Sequence, residues 1–144
     1  MSALSTPSGY FVDSGSIFGD RSNGHFYGWN QSATSFTRDR NAGNSPDQKH
    51  DTLVHMQFYG VRKWEIAVPT GSYQVHIVAG DPSFTDSVYK INAEGILALT
   101  GTPNANNHWI EGTQTVSVAD GRLTIENASG SVNNKIDYIE ITPV

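Results

Sequence analysis

Pro69-Thr70-Gly71-Ser72-Tyr73-Gln74-Val75-His76-Ile77-Val78-Ala79-Gly80-Asp81 is the stretch from which the fold is read. Over residues 72–79, Tyr73, Val75, Ile77 and Ala79 share one face of a two-residue period, while Gln74, His76 and Val78 share the other. That is the signature of a strand with one face on a core, and Pro69-Thr70-Gly71 supplies the turn that starts it. Upstream, residues 52–58 and 64–68 alternate in the same way. Downstream, the pattern predicts strands over 88–96, 114–118, 123–127 and 136–141, with Asp120-Gly121 as a hairpin turn. A further pair over 10–12 and 26–29 brings the expected count to eight or nine. Two stretches, 35–51 and 100–108, are strand-poor and read as loops.

Nowhere does a sustained 3.6-residue apolar period interrupt this pattern, so the chain reads as an all-β sandwich. At 144 residues it fits one domain, taken as 1–144. Charged residues make up only 16% and glycines number 14, which suits turn-rich β structure and argues against a helical bundle. The net charge is −5, and the nine Lys and Arg residues are scattered, so no basic stripe exists to neutralise a phosphate backbone; no nucleic-acid partner is expected. The absence of cysteine excludes disulfides and thiol chemistry. No apolar run reaches the ~20 residues that span a bilayer as a helix, so no membrane partner is expected either. Residues 1–9 lack a signal-peptide pattern; Met1-Ser2-Ala3-Leu4 reads as the start of a piece cut from a larger precursor.

The loops carry the residue types that hold sugars: flat aromatic rings for C–H faces and planar polar groups for hydroxyls. Tyr27-Gly28-Trp29-Asn30 sets two large aromatics near the polar run Arg38-Asp39-Arg40-Asn41. Tyr27 and Trp29 are expected as a stacking platform, with a place in the core as the alternative. Phe84 lies in a loop after the strongest strand, flanked by Asp81 and Asp86, and is expected as a side wall. Asp81 and Asp86 also admit a reading as the acid and base of a glycoside hydrolase, although loop spacing does not support it. The five histidines show no metal-ligand spacing, and no Gly-x-Ser-x-Gly elbow accompanies them. His55 stands on a strand face from which a ligand can be met. Asp137 falls in phase with Ile139 and Ile141, so its carboxylate needs either backbone N–H groups or a hard cation such as Ca²⁺, with Asp13 as a second oxygen donor.

Taken in order, the Tyr27-Gly28 pair, the strand over 69–81, its following loop, the Glu94-Gly95 turn and the ending Asn133-Asn134-Lys135-Ile136-Asp137-Tyr138-Ile139-Glu140-Ile141 resemble the malectin-like and related galactose-binding-like carbohydrate-binding modules. The likeness covers residues 10–141. It implies a jelly-roll sandwich without catalytic activity. It implies a sugar site at Tyr27, His55, Ser83 or Phe84, and Val132 or Asn133. His55 replaces an aromatic of the family pattern, and Val132 an acidic residue for which Asn133 or Asn134 substitutes. The final strand is also similar to that of calcium-dependent modules, in which its Asp helps hold a structural ion; this keeps Asp13 and Asp137 as metal candidates.

The resulting expectation is a secreted, monomeric module that binds an oligo- or polysaccharide of plant or microbial cell walls. It would share its polypeptide with a polysaccharide-degrading catalytic domain. Its site residues are expected to be Tyr27, Trp29, Arg40, His55, Asp81, Phe84, Asp86 and Asn133. Two rival readings stand beside it: a small all-β glycan hydrolase or lyase using His55, Tyr89 or the Asp81 and Asp86 pair, and an adhesion domain that recognises protein through exposed aromatics.

Overall fold

The computed structural model describes residues 6–144; the reading of Met1-Ser2-Ala3-Leu4 lies outside them. The architecture is the expected all-β jelly-roll sandwich, with every strand pairing antiparallel. One layer is a six-stranded sheet. In spatial order it holds β1 (Gly19–Asp20), β2 (Phe26–Trp29), β5 (Trp64–Ala67), β10 (Arg122–Asn127), β7 (Tyr89–Ala93) and β8 (Ile96–Gly101). Opposite it lie two three-stranded sheets, β12 (Tyr138–Pro143), β6 (Gly71–Gly80) and β9 (Trp109–Val118), and β11 (Lys135–Ile136), β4 (Thr52–His55) and β3 (Thr37–Asp39). The amide of Asp137 donates to Val78 O at 2.8 Å, and this bond lets the final strand pass from one small sheet to the other.

The core face read from residues 72–79 holds, with Tyr73, Val75, Ile77 and Ala79 all buried and meeting Ile91 and Ala93 of β7 and Leu123 and Ile125 of β10 in one core, while Val78 of the opposite face is buried as well. Full burial of each large aliphatic among them is worth about 1.5–3 kcal/mol. Gly112 is required because a Cβ there would run into the backbone of Ala98, so β9 and β8 approach too closely for any side chain.

Several boundaries differ from expectation, each for a local reason. The strand expected over 88–96 ends at Ala93, because Glu94 and Gly95 both take positive φ (50° and 76°) and fold the chain into a two-residue hairpin. The strand β8 that follows was not among those expected. The strand over 136–141 is divided at Asp137, and residues 10–12 form none, leaving Phe11 exposed. The loop over 35–51 contains β3 and a four-residue helix α1 (Gln48–Asp51), whose N-cap Asp47 accepts from His50 N. Ahead of β2, a strap over residues 13–18 lies directly on that strand. Trp29 N donates to Ser16 O at 3.0 Å, Phe18 N to Trp29 O at 2.9 Å, and Ala33 N to Gly15 O at 2.8 Å.

Candidate functional site

The site grows from an ion cluster where β6 ends. Asp81, fully enclosed, receives a bidentate pair from Arg40, with Nε to Oδ1 at 3.1 Å and NH2 to Oδ2 at 2.7 Å. Lys135 of β11 adds Nζ to Oδ2 at 2.8 Å, and the Ser83 amide donates to Oδ1 at 2.9 Å. Burial pushes the Asp81 carboxyl upward, but the bonds from Arg40 and Lys135 outweigh it and hold the group below its ordinary range. The Lys135 side chain is only 1% exposed, a burial that an ammonium tolerates only with such a partner. Asp81 therefore fixes β11, the 40s segment and the start of the loop after β6 in one arrangement.

Above this cluster opens a depression of about 280 Å³ lined by Arg38, Arg40, His55, Phe58, Phe84, Asp86, Asn133 and Lys135. The Phe84 ring is held by cations, with Arg40 Cζ at 5.1 Å and Lys135 Nζ at 5.3 Å from its centroid, and yet the residue remains 52% exposed. Asp86 points outward, its side chain 69% exposed, with Oδ1 at 3.9 Å from Lys135 Nζ and accepting from Asn133 Nδ2 at 3.4 Å. Asn133 adopts a left-handed φ of 53°, which Asn tolerates, and its carbonyl accepts from Ser87 Oγ at 2.8 Å. Arg38 spends one guanidinium nitrogen on the carbonyls of Ser35 and Thr37 and forms no ion pair among the described residues.

His55 completes the floor. Its ring lies 5.0 Å from that of Phe58, and its buried Nδ1 has no hydrogen-bond partner among the described residues. Burial, aided by the cations Lys135 and Arg38, pushes its pKa down to about 4, so the imidazole is neutral at physiological pH with one donor and one acceptor nitrogen.

The structure thus brings together Arg40, His55, Phe84, Asp86 and Asn133 of the expected residues. Three others are corrected. Tyr27 and Trp29 form no platform: both are buried in the core, Trp29 at 0% exposure. Their polar tips are satisfied internally, Tyr27 OH donating to Val12 O at 2.6 Å and Trp29 Nε1 to Asp13 Oδ2 at 2.8 Å. The strap covers them, and it approaches so closely that a Cβ on Gly28 would lie 2.6 Å from Ser16 O. Asp81 is corrected from a hydroxyl partner to the buried support beneath the site, because both its oxygens are taken. The same burial removes it from the acid and base pair with Asp86, and the fully buried Tyr89 is likewise out of reach of a substrate. Arg38, Phe58 and Lys135 belong to the lining and were missed; Phe58 was read as part of an alternating strand that in fact stops at His55.

Asp13 and Asp137, the residues expected to hold calcium, each accept hydrogen bonds from within the protein. Asp13 Oδ1 accepts from the Gly15 amide at 2.9 Å and Oδ2 from the Trp29 indole. Asp137 accepts from Gly80 N at 3.1 Å, and burial pushes its carboxyl well above the ordinary range. Among the described residues no group of three or more His, Asp or Glu side chains gathers as a metal shell. A second depression, about 440 Å³, lies over Gln74, His76, Thr113, Glu140 and Thr142. Its lining holds no Phe, Tyr or Trp, and its His76 Nδ1 and Glu140 Oε1 are spent on each other at 2.6 Å.

No protein-family model and no curated protein matches the chain. Among solved structures, protein YxiM from Bacillus subtilis superposes with a TM-score of 0.67 at 23% identity, covering 99% of this chain and 38% of that one. The chain therefore spans under two-fifths of that protein's length, and the likeness establishes the fold. A family 35 carbohydrate-binding module from Clostridium thermocellum matches with a TM-score of 0.39 at 15% identity, over 58% of this chain and 71% of that one. An exo-β-1,3-galactanase from Phanerochaete chrysosporium matches with a TM-score of 0.40 at 20% identity, over 64% and 23%.

Proposed function

We propose that the protein is a glycan-binding module that seats one sugar residue against Phe84 in the depression above Asp81. The observation that carries this reading is a large apolar ring, half exposed and held in place by Arg40 and Lys135, beside groups that grip hydroxyls. Phe84 offers a face to sugar C–H groups. Asp86 accepts from hydroxyls, Arg38 and Asn133 donate to them, and neutral His55 does either. Arg40 and Lys135 act mainly by fixing Phe84, since Asp81 holds both. Affinity in the micromolar to millimolar range, about −4 to −8 kcal/mol, fits a site of this size.

The module acts as a monomer on a cell-wall oligo- or polysaccharide. In this reading it is carried by a secreted polypeptide whose remaining length includes a polysaccharide-degrading domain. The coverage of only 38% of YxiM supports the idea of a longer parent chain.

Affinity electrophoresis in gels containing soluble xylan, mannan, galactan, pectin or β-glucan tests the reading. Retardation by one of them is expected, unchanged by a chelator and lost in Phe84→Ala. Equal retardation of wild type and Phe84→Ala would overturn it.

A further inference from the structure

We infer that Tyr59 forms a second subsite beside the Phe84 depression, so that the glycan is recognised as an oligosaccharide through at least two consecutive sugar residues. This rests on the sugar reading of the depression. Beyond the end of β4 at His55, the chain makes a loop that Arg62 clamps from within. The buried guanidinium donates to Phe58 O at 2.8 Å, Gly60 O at 3.2 Å and Ser32 O at 3.0 Å, and lies 4.3 Å from the Phe36 ring. At the tip of this rigid loop Tyr59 takes a left-handed φ of 51°, a conformation that an aromatic residue rarely adopts, and is 84% exposed. Its hydroxyl has no hydrogen-bond partner among the described residues.

Strain of this kind persists where surrounding structure enforces it, and it concentrates at ligand sites. Here the enforced result is an aromatic ring held out in water with no intramolecular use for its hydroxyl. The ring is continuous with the depression. Phe58, which lines the depression, packs edge-on against Tyr59 with centroids 4.5 Å apart, and its ring also lies 5.0 Å from that of His55. A sugar residue leaving the depression along this wall meets the Tyr59 ring next, with C–H groups to stack on it and hydroxyls to bond its OH. An amphipathic ring suits such an occupant better than a purely apolar one.

Isothermal titration with cello-, xylo-, manno- and β-1,3-galacto-oligosaccharides of one to four residues tests the subsite. In the series that wild type recognises, the disaccharide should bind about five- to tenfold tighter than the monosaccharide, the worth of one aromatic contact. Tyr59→Ala should reduce that gain below about twofold, and Tyr59→Phe should keep most of it. Tyr59→Gly should lose the gain without any fall in unfolding temperature, because glycine adopts the left-handed backbone freely. A full disaccharide gain retained in Tyr59→Ala would overturn the subsite alone. Failure of wild type to bind any member of the four series, or binding unaltered by Phe84→Ala, would instead overturn the depression reading on which it rests.

Discussion

Two aromatic pairs in this chain each border a glycine with an unusual backbone, Tyr27-Gly28-Trp29 and Phe58-Tyr59-Gly60, and they meet opposite fates. Gly28, at a φ of 147°, lets the strap over 13–18 settle on β2, and the rings beside it vanish into the core with their polar tips satisfied. Gly60, at a φ of 131°, follows a tyrosine already in the left-handed region, and the clamp by Arg62 leaves that tyrosine facing water. The composition of the two segments is nearly the same. What separates them is whether another stretch of backbone arrives to cover the rings, and that is decided by residues distant in the chain.

The sharpest way to break this contrast is to delete a ring on the covered side. Trp29→Ala should cost about 3–5 kcal/mol of folding stability, since it empties a fully enclosed site and frees Asp13; urea unfolding at unchanged m-value measures it. Asp81→Asn should cost about 3 kcal/mol, because buried Lys135 is left with only the exposed Asp86, 3.9 Å away, as counter-charge, although Arg40 is partly exposed and can turn to water. Glycan retardation should weaken as Phe84 loses its support.

His55 adds a pH signature confined to the exposed side. Its folded pKa of about 4 lies below the ordinary 6.5, so between these values the unfolded chain takes up a proton that the folded protein refuses. Its contribution to stability is complete above pH 6.5 and is lost as pH falls through about 4. His55→Gln should flatten the fall of unfolding temperature across that window; an unchanged slope would show that other groups set it. The smallest stability effect belongs to Phe84→Ala, under about 1 kcal/mol given its exposure, even though the same substitution should abolish glycan retention. Together the Trp29 and Phe84 variants separate rings that build the fold from rings offered to a ligand.

How much of this was legible in the sequence depends on which interactions are local. The core face of β6 could be read from Tyr73, Val75, Ile77 and Ala79 because a strand's period is fixed by its own backbone. The hairpin at Glu94-Gly95 was recognisable as a turn, yet β8 beyond it went unread, since Ile96 and Leu97 are exposed and Ala98 and Leu99 are consecutive buried residues with no alternation. For the site, Phe84, His55, Asp86, Arg40 and Asn133 were named, and they do converge. The roles of Asp81 and Lys135 were hidden, because 54 positions separate the partners and a lysine gives no local sign that it turns inward. Tyr59 was hidden as well: nothing in the alternation over 52–58 signals that the strand stops at His55.

The strap carries a practical consequence for anyone who wishes to transplant this module. Because Asp13 holds the Trp29 indole and the carbonyls of Gly15 and Ser16 hold the backbone of β2 and its neighbour, the portable unit starts upstream of residue 13. A cut that respected only the strands, placed just ahead of Gly19, would peel away the cover and lay a tryptophan bare on the flank of the sheet. The graft would then be sticky at a place that has no part in gripping a ligand.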